Sequence, residues 1–258
     1  MNYETIIYEK KGKVATIVLN RQAAYNAFTE QMNLEIVKAL RIATKNETVK
    51  CIVITGSGKA FCSGQDLADV DENTNHASFL RERYHPMLQV LKETPKPIIA
   101  AINGTAAGAG MGLAFACDFR LMRRNAKLVS AFMNIGLVPD SGFLYMLPRL
   151  VGYAKALEIA VLGKPLLAEE ASGLGLVTEV FDEESWDVQV EAFAERVASL
   201  PTKAFSLIKR YMLDSMHTDY ETFLEQEAFA QRIAGLSEDH QEGLKAFAEK
   251  RQPNFIGK

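Results

Sequence analysis

The residues able to do chemistry in this chain gather in three short loops. The first is Lys59-Ala60-Phe61-Cys62-Ser63-Gly64-Gln65-Asp66-Leu67, directly after an apolar run that ends at Thr55. The second is Asn103-Gly104-Thr105-Ala106-Ala107-Gly108-Ala109-Gly110-Met111-Gly112, after a second apolar run that ends at Ile102. Gly and Ala let a ligand approach the main chain closely. A helix starting near Gly110 would aim free N–H groups and its positive end at an anion. If each loop lends one N–H to a single oxygen, the pair forms an oxyanion hole, each donor contributing about 3–4 kcal/mol. The alternative is close packing of helix on sheet without a ligand. A dinucleotide loop is disfavoured, because Gly108 to Gly112 lacks the full G-x-G-x-x-G spacing and comes late in the chain.

The third loop, Ile135-Gly136-Leu137-Val138-Pro139-Asp140-Ser141-Gly142, holds one carboxylate in apolar surroundings before a helical-looking segment, 143–150. Two readings of Asp140 stay open. It is an N-cap, a position that favours Asp, or it is a base whose pKa burial raises so that it takes and returns a proton near neutral pH.

The elements that must position these loops are legible. Val14–Leu19, Cys51–Thr55 and Ile98–Ile102 read as strands, and 119–122 and 126–131 as two more. Residues 29–44, 78–93 and 110–116 read as helices between them, the first capped by Thr29. Strands joined by helical crossovers suggest a largely parallel α/β core, with ligand loops at the carboxyl ends of the strands. After about residue 183 the pattern becomes helical: 183–199, 202–214, 220–234 and 238–250, with Pro201 and Ser237 placed as helix starts.

At 258 residues the chain is long enough for one large domain or two small ones, and 48% apolar with 24% charged residues is ordinary for a globular protein. A net charge of −3 offers no basic footprint, so neither nucleic acid nor an anionic membrane is expected as a partner. The polar opening, residues 1–12, lacks a secretory-signal layout, and the longest apolar stretch, 98–122, is interrupted by Asn103, Asp118 and glycines. Cys51, Cys62 and Cys117 are odd in number and far apart, which fits a reducing, cytoplasmic setting. His76, His85, His217 and His240 have no metal-ligand spacing, and no metal is expected.

The segments Ala60–Leu67, Asn103-Gly104 with Gly108-Ala109-Gly110, Gly136-Leu137-Val138-Pro139 and the tail Glu242–Arg251 together resemble the crotonase (enoyl-CoA hydratase/isomerase) superfamily, nearly end to end. Segment 134–150 and the ending Pro253–Lys258 are similar to the branch that isomerises ring-epoxide phenylacetyl-CoA. The resemblance implies an α/β spiral of ββα turns over about 1–200, carrying the site, and a C-terminal helical region, 201–258, that builds a homotrimer or a dimer of trimers. It implies oxyanion donors at the backbone N–H of Ser63 and Ala109. It also implies CoA contacts at Asp66 and Leu67 and, from a neighbouring subunit, at Phe247 and Lys250, three apart on one helix face. No separate cofactor is implied, since CoA arrives as part of the substrate.

Hydratases of the superfamily bracket a water with two glutamates. This chain has Gly112 and Phe132 at those places, and neither moves a proton. The resembling isomerases keep a single carboxylate where Asp140 lies. The expectation is therefore an acyl-CoA isomerase working on a 3-enoyl-CoA, a ring-epoxide phenylacetyl-CoA, or both, with Phe132, Leu137, Phe143 and Tyr145 as candidate walls of the acyl pocket. The alternatives are a 2-enoyl-CoA hydratase with relocated acids and a non-catalytic CoA-binding subunit in which Asp140 only caps a helix.

Overall fold

The computed structural model describes residues 3–258, so Met1 and Asn2 of the polar opening lie outside the described residues. Two sheets organise it. The larger has six strands in the order β1 (Ile6–Lys11), β2 (Val14–Leu19), β3 (Cys51–Gly56), β5 (Ile98–Ile102), β7 (Phe119–Arg123) and β10 (Glu179–Phe181). The smaller has four, β4 (Ala60–Cys62), β6 (Thr105–Ala107), β8 (Lys127–Val129) and β9 (Leu166–Leu167). Three successive strand pairs, β3 with β4, β5 with β6 and β7 with β8, each give one strand to each sheet. The chain thus winds as a spiral of ββα turns. Pairing is parallel from β2 to β10 and from β4 to β8, and antiparallel at β1–β2 and β8–β9.

The helices are α1 (Glu30–Lys45), α2 (His76–Phe79), α3 (His85–Glu93), α4 (Ala109–Ala116), α5 (Phe143–Val151), α6 (Tyr153–Leu162), α7 (Ala168–Gly173), α8 (Trp186–Ala198), α9 (Thr202–Asp214), α10 (Tyr220–Gly235) and α11 (Glu238–Ala248). Thr29 caps α1 by accepting from Met32 N–H, and Ser237 caps α11 by accepting from His240 N–H. At the other end of α1, the buried Lys96 ammonium donates to the carbonyls of Ala43 and Asn46, 2.7 Å each.

The unbroken apolar runs of β3 and β5 follow from burial on both faces. Ile52, Ile54, Ile98, Ala100 and Ile102 face the main core beneath α1, α3 and α4. The alternate residues Cys51, Val53, Ile99 and Ala101 face Trp186, Phe193 and Val197 of α8. The loops that follow β3 and β5 leave one end of this sheet. The β3–β4 turn is locked by Asn103, which accepts from Gly56 N–H at 3.0 Å and donates to Gly58 O at 3.1 Å. Asn26 donates to Ser57 O and Ala60 O from the other side.

By contrast, α9 and α10 bury no residue within the chain. Helix α9 meets the sheet through Phe205, whose ring lies 6.1 Å from that of Phe119, and through the Lys209 ammonium, 3.1 Å from the Asp118 carboxylate and from Leu91 O. Burial raises the Asp118 pKa against the opposing pull of Lys209. Among the described residues no helix is long and apolar enough to cross a membrane.

Candidate active site

The loop after β4 is gripped by the segment before α1. Phe28 N–H donates to Gly64 O at 2.8 Å, and Asp66 N–H donates to Phe28 O at 3.0 Å. This is a parallel bridge between Phe28 and Gln65. In such a bridge the residues on either side of Gln65 make the bonds, and Gln65 turns its own N–H away from Phe28. Gly64 has φ +97 and lies against the start of α4, where an added Cβ would stand 3.4 Å from Ala109 N and 3.0 Å from Ala107 O.

This geometry corrects the donor expected from sequence. Ser63 N–H is engaged, donating to Tyr25 O at 3.0 Å, while Ser63 Oγ donates to Ala24 O at 3.3 Å. Gln65 N–H, which the bridge turns away from Phe28, makes no hydrogen bond among the described residues. Alternation along the strand-like loop decides which N–H points where, and the residue types give no sign of it.

Ala109 is the first residue of α4, so no carbonyl within the helix accepts from its N–H. Its neighbours are committed: Gly108 N–H donates to Val129 O, and Gly108 O accepts from Met111 and Gly112. Ala109 itself is buried. The helix start and the Gln65 loop together offer two main-chain donors beside Gly64, as an anionic oxygen requires.

The Asp140 turn closes the third side. Helix α5 is preceded by Gly142 in a left-handed conformation, with no side-chain cap. The main-chain carbonyl of Asp140 accepts from Phe143 N–H at 2.8 Å, and its carboxylate accepts from Ser141 Oγ–H, also 2.8 Å. The carboxylate therefore does not cap the helix. Burial raises its pKa, with Ser141 and the charge of His76 pulling the other way. The turn sits directly on α4, where a Cβ on Gly112 would lie 2.9 Å from both Ser141 Cβ and Ser141 O. Gly112 is one helical turn beyond Ala109, on the same side of α4. The place of one hydratase glutamate is thus filled by the turn that carries Asp140.

The other expected residues are distributed unevenly. Asp66 holds its own loop: its carboxylate pairs with Arg21 at 2.9 Å and accepts from Ala68 N–H at 3.1 Å. Those contacts, Ala68 N–H first, hold its pKa below the ordinary value. Leu67 is 60% exposed at the rim. Phe247 is 87% exposed, and no hydrogen bond or ring contact ties it or Lys250 to the three loops of the same chain. Lys250 also corrects an expectation, because α11 ends at Ala248 and Lys250 lies beyond it with φ +54, so the two do not share a helix face.

Of the candidate pocket walls, the Phe132 ring tip lies 3.9 Å from where a Cβ on Gly108 would stand. Phe143 belongs to the core, packed on Phe115 and Phe132, and Tyr145 turns outward to hydrogen-bond His217 at 2.7 Å. Cys62, although close, is no nucleophile, since burial pushes its thiol up to about 12.

With this architecture in view, the chain belongs to the enoyl-CoA hydratase/isomerase family, whose model matches residues 9–258. It is an enzyme of that superfamily with a crotonase fold. It is 38% identical to the 1,2-epoxyphenylacetyl-CoA isomerase of Escherichia coli (strain K12) over 99% of both chains. It is 35% identical to the crotonyl-CoA hydratase of Syntrophomonas wolfei subsp. wolfei over the full length of both. Among solved structures, the enoyl-CoA hydratase from Bacillus anthracis superposes with a TM-score of 0.92 at 30% identity, covering 99% of this chain and all of that one.

Proposed function

We propose that the protein is an acyl-CoA isomerase that moves a double bond by a proton shift through one carboxylate. The reading rests on Asp140, a half-buried carboxylate whose turn packs on α4, the helix that begins with the Ala109 N–H, in a site where Gly112 and Phe132 replace the acids a hydratase uses. The thioester oxygen of a 3-enoyl-CoA accepts from Gln65 N–H and Ala109 N–H. Asp140 removes a proton from carbon 2, and the electron pair moves onto the thioester oxygen as a dienolate. The two donors stabilise that charge most where it is greatest, in the transition state. Asp140 then returns the proton to carbon 4, which leaves the double bond between carbons 2 and 3. A raised pKa suits a group that must both take and return a proton.

Likeness over the full length to the E. coli isomerase makes ring-1,2-epoxyphenylacetyl-CoA the second substrate of this reading. CoA enters at Leu67, and Phe247 and Lys250 approach it from a neighbouring subunit. A homotrimer, or a dimer of trimers, suits the apolar side chains exposed on the C-terminal helices, Ile208, Met212, Phe229 and Leu244 among them.

Two substrates separate this reading from hydration. With a 3-enoyl-CoA the ultraviolet absorbance of a conjugated 2-enoyl thioester should rise. With crotonyl-CoA the same absorbance should hold steady. Loss of crotonyl-CoA absorbance at a comparable rate would assign the protein to the hydratases.

A further inference from the structure

We propose that Tyr84 is a positioning residue for the oxyanion hole, acting through the side chain of Gln65. This rests on the reading of Gln65 N–H as an oxyanion donor. Tyr84 is 1% exposed, and its phenol O–H donates to Gln65 Oε1 at 2.7 Å. Gln65 in turn donates from Nε2 to the carbonyl of Asp66 at 2.9 Å. The Gln65 side chain is therefore fixed at both ends over the loop whose main-chain N–H it carries. From the opposite side the same loop is held by the main chain of Phe28, and the Phe28 ring meets the Tyr84 ring edge-on at 5.6 Å. Tyr84 thus touches both jaws of one clamp.

The way Tyr84 reaches this place is unusual. It ends a π-helical turn, Leu80–Tyr84, between α2 and α3, in which His85 N–H reaches back five residues to Leu80 O. A wide turn of this kind rotates the following residues relative to a regular helix, and such turns recur at functional sites. Asn33 of α1 pins it by donating to Arg83 O at 3.2 Å. Phe79 packs on the Tyr84 ring at 6.2 Å. The turn also carries Arg83, which pairs with Glu30 and with Asp69 at 3.4 Å each, and it brings one buried hydroxyl to Gln65.

A hydroxyl that only fills the core would affect stability when removed. One that sets the direction of Gln65 N–H would also change how strongly a bound thioester carbonyl is polarised. The test compares wild type, Tyr84→Phe, Gln65→Met and the double variant. Its readouts are kcat and KM on a 3-enoyl-CoA and the infrared carbonyl stretch of bound 2-enoyl-CoA labelled with carbon-13 at the thioester carbon. Tyr84→Phe keeps the ring and the fold. It should lower kcat about tenfold, the factor one neutral hydrogen bond supplies, with KM changed less than about twofold. The carbonyl stretch should move back toward its value in water. The double variant should be no slower than the slower single, because both changes break one connection.

Wild-type kcat and carbonyl frequency in Tyr84→Phe, or additive losses in the double variant, would overturn the proposal while leaving the oxyanion reading intact. A wild-type protein that turns over no 3-enoyl-CoA and leaves the bound carbonyl at its frequency in water would remove the oxyanion reading and this proposal with it.

Discussion

Gly112→Ala tests how the base is held. A Cβ at this position would stand 2.9 Å from Ser141 Cβ and 2.9 Å from Ser141 O. Ordinary carbon contacts are about 3.5–4.0 Å, so the turn must retreat by roughly 1 Å. It has little freedom to do so smoothly, since Ser141 is already at φ +52 and Gly142 at φ +78. Crowding of this kind costs about 1–3 kcal/mol. For a chain of this size each kcal/mol lowers Tm by about 2–4 °C. Misplacing a reacting group by about 1 Å costs on the order of a hundredfold in rate. Gly112→Ala should therefore lose roughly two orders of magnitude in kcat on a 3-enoyl-CoA, with a Tm drop of several degrees and a folded circular dichroism spectrum. Gly112→Glu should be worse and should not gain hydration of crotonyl-CoA, because the Asp140 turn fills the space a glutamate would need. Wild-type kcat in Gly112→Ala, or hydration by Gly112→Glu, would refute this account of the turn.

Three further outcomes follow from the same geometry. Ala109→Pro removes one donor at a helix position that tolerates proline, so kcat should fall about 10²–10³-fold while the fold persists, as rate and melting measurements would report. Asp140, with its pKa raised by burial, makes the folded protein bind more protons than the unfolded chain above the ordinary carboxylate value of about 3.9. Its contribution to stability is full below that pH and lost as pH rises through the folded value. Asp140→Asn should therefore melt no lower than wild type at pH 7, and wild-type kcat should rise with pH through the raised pKa. Lys209→Met leaves Asp118 buried without its cation and should cost about 3 kcal/mol in denaturant unfolding, less in acid where Asp118 is protonated.

Much of this architecture is legible in the residues. Ile98–Ile102, Val14–Leu19 and Thr202–Asp214 match their expected bounds, because long apolar runs and helical spacing are strong signals. The second sheet is not legible. Ala60–Cys62 and Thr105–Ala107 are three-residue strands of small side chains, too short to show a period. Strand β1 hides among charges, since as an edge strand it buries only Ile6. At the site, Ala109 and Asp140 stand out in the sequence as candidates, but that the Asp140 carboxylate does not cap α5 needs Gly142 to be seen at the cap position. That Ser63 N–H is engaged and Gln65 N–H turns outward is not legible, because only the bridge to Phe28 shows which N–H points where. Tyr84 gave no local sign, as its partner is 19 residues away in sequence.

The central claim is that a single carboxylate carries the proton. Its most direct test is kcat for wild type and Asp140→Asn on the same 3-enoyl-CoA at pH 7, followed by the rise in 2-enoyl absorbance. The account predicts steady conversion by wild type and a loss of about 10²–10⁴-fold in Asp140→Asn, at undiminished Tm. Turnover by Asp140→Asn within tenfold of wild type would contradict it.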